Sequence, residues 1–302
     1  MSYLSTKEIV NNTFKAGLVV PAFNIPHLPM MEAVIAAIKE TNSFGLIQVA
    51  RLEWEKFKSK SLKAIHDEYE KHKDATHTRL HLDHSPVVDE DDLLVDYEAI
   101  ISEAIGLGYE SVMVDGSRLS LEENIVATKR AVKLAHDAGL AIEAELGAVL
   151  GHESGPLPPY EELFASGQGF TDPEEARIFV EETDVDWLSV SFGNIHGAIS
   201  GAAKSEKKVA ARLSIETLDQ IRDVTGIPLV LHGGSGIQVA CLVEAFKHGV
   251  AKINIGTTLR QAYETGVQKS IYQGQDNVYV EAKRLIYDEL QIAGTVKLVN
   301  PS

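Results

Sequence analysis

Short apolar runs rich in β-branched residues alternate with longer amphipathic stretches along the chain, and this alternation restricts the fold more than any other feature. The strand candidates are residues 18–23, 45–50, 78–83, 110–115, 140–146, 187–192, 227–232 and 251–256. Helical periodicity runs over 28–42, 55–73, 90–107, 120–138, 173–183, 211–225, 236–248 and 257–272, several of these stretches opening on Ser, Asp or Pro. Eight strands alternating with helices describe a closed parallel (β/α)8 TIM barrel better than an open sheet. No linker or repeat interrupts the pattern, so 1–302 reads as a single α/β domain. Residues 147–172, rich in Gly, Pro and Ser, form a loop long enough to be expected as a mobile catalytic segment.

Barrel enzymes keep their chemistry at the C-terminal ends of the strands. Asn24, Asp83, His84, Asp115, Glu145, His196, His232 and Asn254 all fall at or just past such ends. A lone histidine there is more often structural than a ligand. Three at separate strand ends, two of them followed by glycine, reverse that weighting: His84, His196 and His232 are read as ligands of one zinc ion with an open fourth position. Gly197, Gly233 and Gly234 leave backbone free to approach a bound group. The remaining histidines, at 66, 72, 77, 136, 152 and 248, are expected to be solvated.

His232-Gly233-Gly234-Ser235-Gly236 lies between a strand and a helix, where backbone N–H groups form an anion nest. Asn254, Gly256 and Thr257 after the eighth strand supply the other half of a phosphate site. Asp83 can reach a substrate oxygen beside the metal, or orient a histidine. Asp115 and Glu145 either hold a second cation, orient ligands or hydrogen-bond inside the barrel mouth. Glu143 is expected to pack in the barrel layers or pair with Lys or Arg. Glu153, on the long loop, is either a solvated acid or one that swings onto a substrate carbon. The run Asp89-Glu90-Asp91-Asp92 is expected at a helix N-terminus, where the macrodipole favours acids.

A net charge of -16 and a pI near 5.1 argue against nucleic acid or an anionic membrane as partner. The single cysteine, Cys241, fits a reducing cytoplasm, and the sequence shows neither a signal core nor an apolar run long enough to span a bilayer.

Ordered motifs carry a family resemblance from about Ser5 to Gly294: Pro21-Ala22-Phe23-Asn24, His81-Leu82-Asp83-His84, Val114-Asp115-Gly116-Ser117, Glu143-Ala144-Glu145-Leu146-Gly147, Gly193-Asn194-Ile195-His196-Gly197, His232-Gly233-Gly234-Ser235-Gly236 and Lys252-Ile253-Asn254-Ile255. Together they resemble the class II, zinc-dependent ketose-bisphosphate aldolases. The resemblance implies that His84, His196 and His232 hold the zinc and that Asp83 moves the proton of the C4 oxygen. It makes Asp115 and Glu145 auxiliary acids around the metal. Glu153 becomes a loop glutamate that moves the proton at the nucleophilic carbon. Gly197, Gly233, Ser235, Asn254 and Thr257 would cradle the phosphate of dihydroxyacetone phosphate, with a monovalent cation, Na+ or K+, nearby. A homodimer or larger homo-oligomer is also implied. A class I aldolase would need a lysine in the strand that reads Trp187-Leu188-Ser189-Val190-Ser191-Phe192. An amidohydrolase would need His-X-His where Phe23-Asn24 stand.

The chain departs from the family after the second strand. A hydroxyl-bearing stretch of the Gln-Val-Ser-Glu-Gly kind is replaced by Gln48-Val49-Ala50-Arg51-Leu52-Glu53-Trp54, and the C-terminal pattern becomes Ile292-Ala293-Gly294-Thr295-Val296. Both changes concern the aldehyde half of a phosphorylated ketose. Arg51 is expected either to cap a terminal anion, phosphate or sulfonate, or to pair with Glu53 or Glu55. The substrates considered are fructose 1,6-bisphosphate, tagatose 1,6-bisphosphate and 6-deoxy-6-sulfofructose 1-phosphate. A non-catalytic metal-binding relative is the alternative.

Overall fold

The computed structural model describes residues 3–147, 160–194, 212–234 and 237–301. Among them are nine parallel strands: β1 (Val20–Asn24), β2 (Gly45–Val49), β3 (Thr78–Leu82), β4 (Ser85–Pro86), β5 (Ser111–Asp115), β6 (Ala141–Leu146), β7 (Trp187–Val190), β8 (Leu229–Leu231) and β9 (Val250–Ile255). Their order is β3-β2-β1-β9-β8-β7-β6-β5-β4, and the pairing of His81 with Ser111 joins β3 to β5, which closes the barrel. The two-residue β4 prolongs the path of β3 along β5. The eight longer strands are those expected, each end falling within two residues of its apolar run.

Successive strand residues face opposite sides. Leu80 and Leu82, Val112 and Val114, Ile142 and Ala144, and Leu188 and Val190 therefore join one apolar core beneath the helices. The residues between them, including His81, Asp83, Glu143 and Glu145, turn into the barrel. Its upper interior is consequently polar, where barrels more often stack branched aliphatics.

A helix at Thr6–Ala16, not anticipated from the apolar pattern, closes the bottom of the barrel. Ser5 and Glu8 form its capping box, and Gly17 ends it with φ +62°. Its Val10 and Phe14 pack on Ala141, Trp187, Val230 and Ala251, while Ile9 meets Val20, Ala22 and Leu46. The helix expected over 55–73 begins at Leu62, capped by Ser61, and ends at His72, and a separate short helix, Arg51–Glu55, comes before it. The one expected over 257–272 ends at Val267; Ser270 caps a further helix, Ile271–Arg284.

Two other expectations change. The helix read as 90–107 begins at Tyr97, with Asp96 as its cap, so Asp89–Asp92 do not lie at a helix N-terminus. Asp89 instead folds the loop on itself by accepting from the N–H groups of Asp91 and Leu93, a turn that Asp favours. Within 147–172, Tyr160–Ser166 form a helix; 148–159 lie outside the described residues. Among the described residues no helix is long and apolar enough to cross a membrane.

Candidate active site

The C-terminal ends of β3, β5, β6, β8 and β9 converge on a cluster of acids and imidazoles. One ligand atom from each of Asp83, His84 and His232 lies within 4.8 Å of the others, and the same holds for His84, Asp115 and Glu145. His84 follows β3 and is partly exposed, whereas His232 follows β8 and is fully buried.

A carboxylate fixes each imidazole. His84 Nδ1 is 2.9 Å from Asp115 Oδ2, so its Nε2 is left to face a ligand. His232 Nε2 is 2.9 Å from Glu143 Oε1, which turns Nδ1 toward the cluster, 3.1 Å from Glu145 Oε2. Carboxylate–imidazole pairing of this kind sets the tautomer and raises the basicity of a metal-binding histidine. Glu145 Oε2 is buried and faces the nitrogens of both imidazoles, His232 Nδ1 at 3.1 Å and His84 Nδ1 at 3.7 Å. A buried carboxylate oxygen in that position, beside imidazoles held in ligating orientation, suits a divalent cation such as zinc.

Charge points the same way. Burial opposes charge on His84, yet Asp83, Asp115 and Glu145 push its pKa up to about 10. Burial alone would raise Asp83, but His84, Lys252 and His232 hold it well below the ordinary carboxylate range. Asp115 is likewise held low against burial by His84 and Ser117. Burial and the neighbouring Asp115 raise Glu145. This much negative potential around one imidazole is what a cation relieves.

Asp83 is aimed by two amides. Asn24 Nδ2 donates to Oδ2 at 2.9 Å and Asn254 Nδ2 to Oδ1 at 3.0 Å. Asn24 is itself held by Gln48, whose Nε2 donates to Oδ1 at 2.8 Å. Gly233 has φ +70°, and a Cβ on Gly234 would stand 2.7 Å from Ile253 Cδ1, so the turn after β8 needs glycine at both positions. Gly256 and Thr257 open the helix after β9, beside that turn. Asn194 ties the ends of β7 and β8 together by donating from Nδ2 to the His232 carbonyl at 2.9 Å.

His196, Gly197, Glu153 and Ser235 lie outside the described residues. Arg51 is described: its Nη1 is 3.2 Å from Asp89 Oδ2, so its partner is Asp89 and neither Glu53 nor Glu55. Glu143 meets both of its expectations, being buried in the barrel and 2.8 Å from Lys252 Nζ. Of the histidines expected in solvent, His152 lies outside the described residues, while His66, His72, His77, His136 and His248 are half-buried and lie beside acids, as in His248 with Asp219 at 2.7 Å and His136 with Asp186 at 3.0 Å. Each lies one helical turn, or one packed neighbour, from a carboxylate.

The pattern missed Glu53. Buried in the short helix after β2, it accepts from Ala50 N at 2.9 Å and from the same Asn24 amide at 3.3 Å. Burial, with Asp83 adding to it, pushes its pKa up to about 8. Its polar surroundings in the sequence gave no sign of burial, although an acid three residues after the first residue beyond β2, Ala50, is at a capping position.

Two oriented imidazoles among buried acids at the C-terminal mouth of a parallel barrel define a barrel enzyme built to hold a metal. The fructose-bisphosphate aldolase class-II family model matches residues 4–297. The fructose-bisphosphate aldolase of Geobacillus stearothermophilus is 32% identical over 92% of this chain and 89% of its own length, and that of Staphylococcus epidermidis 31% identical over 98% and 96%. The crystal structure of the YdjI aldolase of Escherichia coli K12 superposes with a TM-score of 0.76 at 27% identity, covering 96% of this chain and 98% of that one. The chain belongs to the class II fructose-bisphosphate aldolase family and is an aldolase, a carbon–carbon lyase.

Proposed function

We propose that the enzyme cleaves a ketose 1-phosphate reversibly and in a zinc-dependent way, giving dihydroxyacetone phosphate and an anionic aldehyde. The substrate is fructose or tagatose 1,6-bisphosphate, with glyceraldehyde 3-phosphate as the aldehyde, or 6-deoxy-6-sulfofructose 1-phosphate, with sulfolactaldehyde. The observation that carries this reading is Asp83, a carboxylate held in its charged form, clamped through both oxygens and adjacent to two oriented imidazoles.

In the cleavage direction Asp83 takes the C4 hydroxyl proton as the C3–C4 bond breaks, and the electron pair is delocalised onto the C2 oxygen. Zinc held by His84, His232 and His196 would supply Lewis-acid stabilisation of that charge. Glu145 and Asp115 balance and orient this set, and Glu153 returns a proton at C3. Gly197, Gly233, Gly234, Ser235, Gly256 and Thr257 hold the phosphate near the C2 end with N–H and hydroxyl donors, a monovalent cation beside them. Asn24 and Asn254 keep Asp83 turned to the C4 oxygen. Arg51 reaches a terminal anion only by leaving Asp89, so Arg51→Ala should raise KM for whichever of these substrates it caps and leave kcat unchanged. A cytoplasmic homodimer or larger homo-oligomer completes the reading.

The test is dihydroxyacetone phosphate release from the three ketoses by zinc-loaded protein, with and without chelator, alongside Asp83→Asn. Chelator-sensitive release that Asp83→Asn lowers by about 10²- to 10⁴-fold is expected. Chelator-resistant release, or full activity in Asp83→Asn, would overturn the mechanism. The highest kcat/KM identifies the aldehyde half.

A further inference from the structure

Lys252 is wholly buried inside the barrel on β9, and neither the mechanism above nor the motifs give it a task. Its Nζ lies 2.8 Å from Glu143 Oε2 and donates to Asn254 Oδ1 at 2.6 Å. The other oxygen of Glu143 holds His232 Nε2 at 2.9 Å, and the Asn254 amide nitrogen holds Asp83 at 3.0 Å. One ammonium therefore stands between the carboxylate that orients a candidate metal ligand and the amide that orients the candidate proton acceptor. Building on the roles proposed for His232 and Asp83, we propose that Lys252 is a positioning residue that locks the metal half and the proton-transfer half of the site into one geometry.

The physical case rests on which atoms are held. Without a cation, the Asn254 side chain could turn its amide over, presenting oxygen rather than N–H to Asp83. Lys252 accepts no hydrogen bonds, so it can engage only the Asn254 oxygen, and this forces the N–H2 end toward the carboxylate. The same ammonium, 2.8 Å from one oxygen of Glu143, holds that carboxylate in place so that its other oxygen meets His232 Nε2 at 2.9 Å. His81 Nε2 lies 3.6 Å from Glu143 Oε2, beyond hydrogen-bond reach, so Lys252 is the closer support of that oxygen. A lysine that merely balanced a buried acid would have no reason to reach Asn254 as well.

Lys252→Met tests this directly, and Lys252→Met with Glu143→Gln separates positioning from charge balance. Removing one partner of a buried pair leaves the other charge uncompensated, so the single variant can lose stability. The double variant removes both charges, and the Gln oxygen still accepts from His232. Two readouts are needed: the Co2+ dissociation constant of metal-free protein, from the visible spectrum, and kcat and KM on the best ketose. In Lys252→Met the Co2+ dissociation constant should rise about 10- to 100-fold, as for loss of other groups that support metal ligands. In the double variant metal affinity should recover much of the way. Its kcat should stay down about 100-fold at nearly unchanged KM, as expected when a proton-transfer group is misaimed. A folded double variant with wild-type kcat would overturn the proposal and leave Lys252 as a counter-ion. Wild-type cobalt affinity in folded Lys252→Met would overturn the metal half. If the wild-type enzyme cleaves none of the ketoses, the functional reading fails while the cobalt arm still tests the link.

Discussion

A carboxyl with a raised pKa couples residue-scale environment to stability, and Glu53 is such a group. Its pKa moves from 4.5 to about 8 on folding, so between these values the native state keeps a proton that the unfolded chain releases. The native state then binds more protons than the unfolded one. The contribution of Glu53 to stability therefore declines as pH rises through that window, by at most about 1.4 kcal/mol per pH unit, and levels off above it. Glu53→Gln should remove that slope. Urea unfolding of both proteins at about pH 5 and about pH 8 is expected to show the wild type losing ground to the variant at the higher pH. Equal differences at both would mean that Glu53 titrates as a solvated acid. Nothing near Glu53 in the sequence marks this behaviour, because the groups it meets, the Asn24 amide at the end of β1 and the charge of Asp83 after β3, lie in distant segments. His84 and His232 were legible because each imidazole ends an apolar strand. Lys252 was visible as part of a motif, but its role was not, since both its ionic partner and the group it ultimately aims lie in distant segments.

At the scale of elements, the eight barrel strands were readable because each is an apolar run in a barrel buried on both faces, bounded by polar turns. The helix Thr6–Ala16 was not, since it shows few large apolar residues; its Ser5 and Glu8 are the signal that would have located it. The turn after β8 offers a test of element packing. The Cβ of Gly234→Ala would meet the end of Ile253, a side chain already enclosed in the core, so the variant should lose about 1–3 kcal/mol in urea unfolding. Adding Ile253→Val shortens the obstructing side chain and should restore part of the loss. No recovery in the double variant would place the strain in the backbone of the turn instead.

For the whole molecule, the candidate metal site draws on β3, β5, β6 and β8, strands on one side of the closed barrel. A cation there ties together segments that are far apart in the chain and neutralises acids that otherwise repel. Zinc that binds the folded arrangement and not the loose chain should stabilise the protein by about 2.7 kcal/mol at a hundred times its dissociation constant. Calorimetric melting with zinc and with chelator should differ by about 4 °C. Identical melting curves would mean that these residues do not bind zinc in the folded state.

The helix Thr6–Ala16 rests on residues from β6 through β9, among them Ala141, Trp187, Val230 and Ala251. On the ribosome it emerges long before the strands that give it a surface to lie on, and must wait, exposed, while they are made. Closing the floor of the barrel is thus tied to the end of synthesis, and a stalled or shortened chain would present Val10 and Phe14 as a handle for chaperones.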